Sequence, residues 1–135
     1  MIVEVVGAVI RDEAGRLLTV RKTGTRRFML PGGKREAGED DLAALARELA
    51  EELGVRLVRA EPLGIFEAAA ANEPGRRVRS HAYRVEIEGE IAIASEIAEL
   101  CWLQPSSPQV ALAPLLSEAI LPTLAGSSAT RRGWR

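Results

Sequence analysis

Glu48, Glu51 and Glu52 put three carboxylates within one short stretch, with Arg47 beside them, Glu39 upstream and Pro31-Gly32-Gly33 ahead of both. The stretch from Asp40 to Leu53 reads as a helix, because Leu42, Leu45, Ala46, Leu49 and Leu53 recur at helical spacing. Turning about 100° per residue from Leu42, the leucines stay within about 60° of the start, and the three acids fall at about 240°, 180° and 280°. They form an acidic stripe off the apolar face. Like charges three and four residues apart cost about 0.2–0.5 kcal/mol per pair. Arg47 can offset part of that by pairing with Glu51, but it cannot serve all three equally. A bound cation would make the crowding favourable. Hard divalent ions prefer oxygen donors, and Mg²⁺ takes a few carboxylates while sharing substrate phosphates. A set without His or Cys therefore suits Mg²⁺ or Mn²⁺ better than zinc. A solvated acidic face is the competing reading, and the double-glycine turn and Glu39 speak against it. Glycine lets a ligand or ion approach the backbone, and a carbonyl freed there can serve as a ligand. Glu39 could brace the loop by reaching Arg47.

The elements that must position these groups follow from local pattern. Val3 to Ile10 is β-branched and apolar, a buried strand. Asp12 to Gly15 is a turn, and Arg16 to Arg21 reads as the return strand of a hairpin. Phe28 to Leu30 is a short apolar piece ending at Pro31. Asp40 and Asp41 suit the positive start of the helix, and Gly54 suits the position after its end. Arg56 to Ala70 supplies one or two strands, Asn72 to Gly75 a turn, and Arg77 to Ile87 an alternating strand, together a second hairpin. A strand is expected near Cys101 to Leu103, and a helix from Gln109 to Leu124. Residues 126–135 are polar and basic and read as a frayed tail after a single domain over residues 1–125. This order predicts a mixed α/β domain with a helix on each face of a sheet.

Composition narrows the function classes. The 135 residues suffice for one domain with a real core, and 47% apolar with 27% charged is ordinary for a globular protein. A net charge of −1 gives no global field for nucleic acid or an anionic membrane, so an anionic ligand must be held by local groups. Cys101 is the single cysteine, which excludes an internal disulfide and Cys-based zinc sites and fits a reducing compartment. Met1 to Glu4 opens no signal-peptide pattern, and no run reaches the roughly 18 apolar residues of a membrane span. The cytoplasm is the expected location.

The combined pattern resembles the signature of the Nudix hydrolases, G-x5-E-x7-R-E-U-x-E-E-x-G-U, where U is a bulky aliphatic. Gly33, Glu39, Arg47, Glu48, Leu49, Glu51, Glu52, Gly54 and Val55 fill every specified position. The lead-in Leu30-Pro-Gly-Gly-Lys34 and the late Glu99-Leu-Cys-Trp102 are similar to the family pattern too, so the likeness runs over roughly residues 3–104. The resemblance implies an α/β/α sandwich around a mixed sheet. It implies Mg²⁺- or Mn²⁺-dependent hydrolysis of a nucleoside diphosphate linked to another group. By position, Glu48, Glu51 and Glu52 would hold metal, the Gly32 carbonyl would add a ligand, and Arg47, Glu39 and Gly33 would orient the acids. A small nucleotide, most simply a nucleoside triphosphate, is the expected partner, with homodimerisation also implied. An ADP-sugar or other diphosphate substrate, and a nucleotide sensor without turnover, are the alternatives.

Hydrolysis needs a proton acceptor for the attacking water. Glu51 or Glu52 is expected in that role, with Glu99 or Glu96 as a distal candidate. Arg21, Lys22, Arg26, Arg27, Lys34 and Arg35 flank the turn, and some could touch phosphates, although surface solubility accounts for each singly. Phe28, Phe66 and Tyr83 could stack on a base, and each is read first as core. His81 has no partner in sequence and is read as structural or incidental.

Overall fold

The computed structural model describes residues 2–71 and 73–126. The expected tail, apart from Gly126, lies outside the described residues. Among the described residues six strands form two sheets: β1 (Ile2–Val9), β2 (Leu17–Lys22), β3 (Gly32–Gly33), β4 (Arg56–Ala69), β5 (Arg77–Glu88) and β6 (Ile97–Leu103). The larger sheet has the order β3-β1-β5-β4, and the smaller pairs β2 with β6. β1 runs parallel to β5 and antiparallel to β3, so the larger sheet is mixed.

The second hairpin forms as expected, with β4 as one long strand antiparallel to β5, interrupted by register shifts at Leu57/Arg59 and Pro62/Gly64. Pro62 sits at one of these bulges, where its missing N–H costs no ladder bond. The first hairpin differs from expectation. Its turn closes, with Asp12 N–H donating to Arg16 O and Leu18 N–H to Ile10 O, and Arg11 bridging Leu17. Beyond that point β1 and β2 separate into different sheets. Local turn chemistry brings the chain back, but β1 finds its partner in β5 and β2 its partner in β6.

Helix α1 (Asp41–Leu53) starts at Asp40, whose side chain accepts from Ala43 N–H, and ends at Gly54 in the left-handed conformation at φ 69°. Leu45, Leu49 and Leu53 are fully buried, but Leu42 is 46% exposed. The buried arc is rotated from the leucine-centred one and takes in Ala44 and Glu52.

Alternation along the strands splits the interior in two. Val6, Ala8, Ile10, Leu18 and Val20 pack with α1 on one side. Val9, Leu17, Ala82 and Leu103 pack with Leu116, Ile120 and Leu124 of the C-terminal segment on the other. The sheets thus lie between two helical layers, as an α/β/α sandwich requires.

The C-terminal helix is shorter than its expected span. A π-helical segment (Leu115–Ile120) leads directly into α2 (Leu121–Gly126). Residues 109–113 are not helical, and Phe28 bonds there instead: its N–H donates to Ala111 O, and its O accepts from Ala113 N–H. The widened turn has a local cause. Pro122 has no N–H and its ring would strike the carbonyl four residues earlier, a clash that a wider turn relieves.

Candidate active site at the double-glycine edge

Strand β3 is only Gly32–Gly33, antiparallel to β1 with Gly7 opposite Gly32 and Val6 opposite Gly33. A Cβ would meet a close neighbour at either glycine. Gly32 has φ +145°, and a Cβ there would lie 2.0 Å from the Val6 carbonyl oxygen. A Cβ on Gly33 would lie 2.3 Å from Glu48 Oε2. The bare backbone at Gly33 is therefore what allows the Glu48 carboxylate to lie against the sheet edge.

Glu52 is 1% exposed. Its Oε1 accepts from Gly32 N–H at 3.2 Å, and its buried Oε2 has no hydrogen-bond partner among the described residues. Burial pushes its carboxyl up to about 8; the Gly32 N–H pulls it back, and neighbouring Glu48 raises it further. On the helix wheel Glu52 lies only about 20° from Leu45. It belongs to the buried side of α1, where the acidic-stripe reading had placed it off that face.

Arg47 ties the acids to the loop. Its Nε and Nη2 hold Glu39 at 2.6 and 2.9 Å, and Nη2 also donates to Lys34 O at 3.0 Å. Nη1 reaches Glu48 Oε2 at 3.2 Å and Glu51 Oε1 at 3.4 Å. The Arg47 hydrogen bonds hold the Glu39 carboxyl down at about 2, helped by a bond from Glu36 N–H. The same pairing raises Arg47 above its ordinary range. The brace expected from Glu39 to Arg47 is present and two-pronged.

The three stripe acids do not converge equally. Glu48 is mostly covered, and Glu51 is half exposed at 51%. Among the described residues no three acidic, His or Cys side chains form a cluster that could hold an ion as they stand. The donor chemistry nonetheless fits a hard cation. Glu52 Oε2 is a buried oxygen in need of a positive partner, and Glu48 lies next to it.

A cavity of about 480 Å³ opens beside this edge. Gly32, Gly33, Arg47 and Glu48 line it, with Lys22, Lys34 and Arg35 supplying positive charge. Of Glu51, Glu52, Glu96 and Glu99, only Glu96 lines it, and its Oε2 stands 3.8 Å from Lys22 Nζ. Glu99 is not brought to the cavity. It lies on β6 opposite Arg21, which donates to it at 3.0 Å. One strand residue separates facing in from facing out, and the sequence pattern did not settle that register. Phe28, Phe66 and Tyr83 do not line the cavity either.

A polar network on the α1 face of the larger sheet went unread. His81 Nε2 is 2.8 Å from Glu4 Oε1, Arg79 donates to Glu4 Oε2 at 2.9 Å, and Tyr83 donates to Asp41 Oδ2 at 2.5 Å. Arg35 pairs with Asp41 as well. Burial, then the Asp41 hydrogen bond, push the Tyr83 hydroxyl up to about 12. The sequence signal was the alternation of Arg77, Arg79, His81 and Tyr83, which a strand puts on one face.

Known proteins resemble this chain in sequence and in fold. A profile of the NUDIX domain matches residues 1–124. A CTP pyrophosphohydrolase of Escherichia coli (strain K12) is 34% identical over 96% of this chain and 93% of its own length. A MutT-like protein of Streptomyces ambofaciens is 29% identical over 93% of this chain and 78% of its own. The solution structure of the E. coli ORF135 protein superposes with a TM-score of 0.77 at 30% identity, covering 96% of this chain and 93% of that one. The fold and the acidic helix define a hydrolase of the pyrophosphate-cleaving class. The chain belongs to the NUDIX family.

Proposed function

We propose that this protein hydrolyses the pyrophosphate linkage of a nucleoside triphosphate, using Mg²⁺ or Mn²⁺ held by Glu48, Glu51, Glu52 and the Gly32 carbonyl. The observation that carries the reading is the buried Glu52 Oε2, without a hydrogen-bond partner among the described residues, beside Glu48, which lines a cavity together with Lys22, Lys34 and Arg35. The CTP activity in the name of the E. coli relative points to the same substrate class.

A bound divalent ion would neutralise phosphate oxygens and lower the pKa of a coordinated water. The remaining work falls to the chain. Lys22, Lys34 and Arg35 bind phosphate oxygens. Arg47, anchored on Glu39, keeps Glu48 and Glu51 turned toward the edge. The water oxygen bonds to the α- or β-phosphorus, that atom's P–O bond in the α,β bridge breaks, and the leaving pyrophosphate or nucleoside monophosphate departs with the bond electrons. Glu96 would take the water's proton in the distal role for which Glu99 was also named, a reading its place in the cavity lining supports; Glu51 or Glu52 is the alternative. The activity resides in one domain over residues 1–125, in a cytoplasmic setting and as a homodimer. Among the described residues no helix is long and apolar enough to cross a membrane.

Glu52→Gln tests the site. Turnover of nucleoside triphosphates with Mg²⁺, read as pyrophosphate release, should fall by about 10³-fold or more with the circular dichroism spectrum unchanged. Undiminished turnover would remove Glu52 from the site.

A further inference from the structure

The last carbonyls of a helix have no partner within it. In α1 the segment leading into β6 takes them up: Ala92 N–H donates to Leu53 O at 2.9 Å, and Ala94 N–H donates to Glu52 O at 3.0 Å. Just beyond, the chain is already tied to the smaller sheet. Glu96 O accepts from Thr23 N–H at 2.8 Å, and Ile97 enters the core opposite Lys22 of β2. Ser95 lies between the two attachments. It has to turn the chain within one residue, and Ile97 N–H closes that turn on Ala94 O at 3.2 Å.

Ser95 makes the turn at φ 59°, in the left-handed region. Every other positive φ among the described residues belongs to glycine. A side chain there brings Cβ against the following carbonyl oxygen, so a residue other than glycine is held in place by its surroundings. The Ser95 side chain is exposed and adds nothing to the core. The turn matters for the residue that follows it. Glu96 lines the mouth of the cavity with Glu48, and its Oε2 stands 3.8 Å from Lys22 Nζ. That pairing does not fix Glu96 by itself, since the carboxylate side chain is 61% exposed and an open, widely spaced ion pair is weak in water. The backbone on either side of Ser95 is what fixes it.

We infer that Ser95 is a positioning residue: its left-handed backbone, strapped between the Glu52 carbonyl and Thr23, holds Glu96 at a set place relative to the acids of α1. The inference rests on the proton-acceptor role proposed above for Glu96. A positioned acid or base contributes about 10²–10⁴-fold to a rate. Misplacement by about 1 Å can remove about 10²-fold.

The test contrasts two substitutions. Ser95→Val puts a β-branched residue at a φ such residues resist, whereas Ser95→Gly keeps the conformation without a side chain. With the full chain, Mg²⁺ and the best substrate among ATP, GTP, CTP and UTP, Ser95→Val should lower kcat by about 10–100-fold. KM should stay within about threefold, and Ser95→Gly should restore kcat to within about threefold of wild type. Glu96→Gln should itself slow turnover by about 10²-fold or more, and adding Ser95→Val to it should cost nothing further. An equal loss in both backgrounds overturns the inference, because Ser95 would then act through some other group. Full turnover by Ser95→Val or by Glu96→Gln overturns it too, as does a Ser95→Gly variant as slow as Ser95→Val. Amide hydrogen exchange of the metal-free chain reads the strap without turnover. Ala94 and Thr23 should be protected in wild type and in Ser95→Gly, and should exchange about tenfold faster or more in Ser95→Val. That pattern in a chain that cleaves none of the four nucleotides supports the strap and fails the hydrolase reading alone. Unchanged protection in Ser95→Val overturns the inference whatever the turnover.

Discussion

Arg47 has more ionic partners than any other single residue of the site, and its worth depends on the state of Glu39. Glu39 titrates near 2 in the folded chain against an ordinary 4.5. A carboxylate with a lowered folded pKa adds stability that is complete above its unfolded pKa and fades as pH falls toward the folded one. Wild type should therefore melt higher than Glu39→Gln at neutral pH, with the gap closing between about pH 4.5 and pH 2. Melting temperatures across that window check it; a gap that persists at pH 2 would assign the effect to something other than the ion pair. The pairing itself was legible in the sequence, because a helix start fixes where Arg47 points. The burial of Glu52 was not. A carboxylate under a helix is unfavourable on its own, and only the tertiary approach of Gly32 shows why it is there.

At the scale of elements, the two-residue strand β3 sets the geometry of the acids. Gly33→Ala should displace Glu48 and lower kcat by about 10-fold or more while costing modest stability, since the obstructing atom is a side-chain oxygen that can move. Gly32→Ala meets a backbone carbonyl instead, at a φ that L-residues rarely adopt. It should destabilise the fold by about 1–3 kcal/mol or more, measured by urea unfolding. Helix α1 offers a second contrast. Leu49→Ala should cost about 2–5 kcal/mol, and Leu42→Ala under about 1, because only the first is buried. Periodicity located α1 and the second hairpin well, since both depend on near neighbours. It missed the parting of β1 from β2 and the shortened C-terminal helix. Those depend on β5 and Phe28, which are remote in sequence and leave no local mark.

For the molecule as a whole, the sheets separate two cores that share strands but few side chains. Leu49 belongs to one and Leu116 to the other. Alanine at either should cost about 2–5 kcal/mol, and the two losses should add to within about 0.5 kcal/mol. Urea unfolding of the double variant tests this, and a strongly non-additive result would mean that the layers communicate through the strands.

The side-by-side parallel alignment of β1 with β5 has a consequence during synthesis. Of the strands described, β1 is made first and is among the last to be satisfied, because its neighbour β5 ends at Glu88. Until then its β-branched row is a bare edge that other nascent chains could join. The glycine pair that supports the acids leans on that same strand, so a prematurely terminated product ending before Arg77 would carry the whole signature and no working centre.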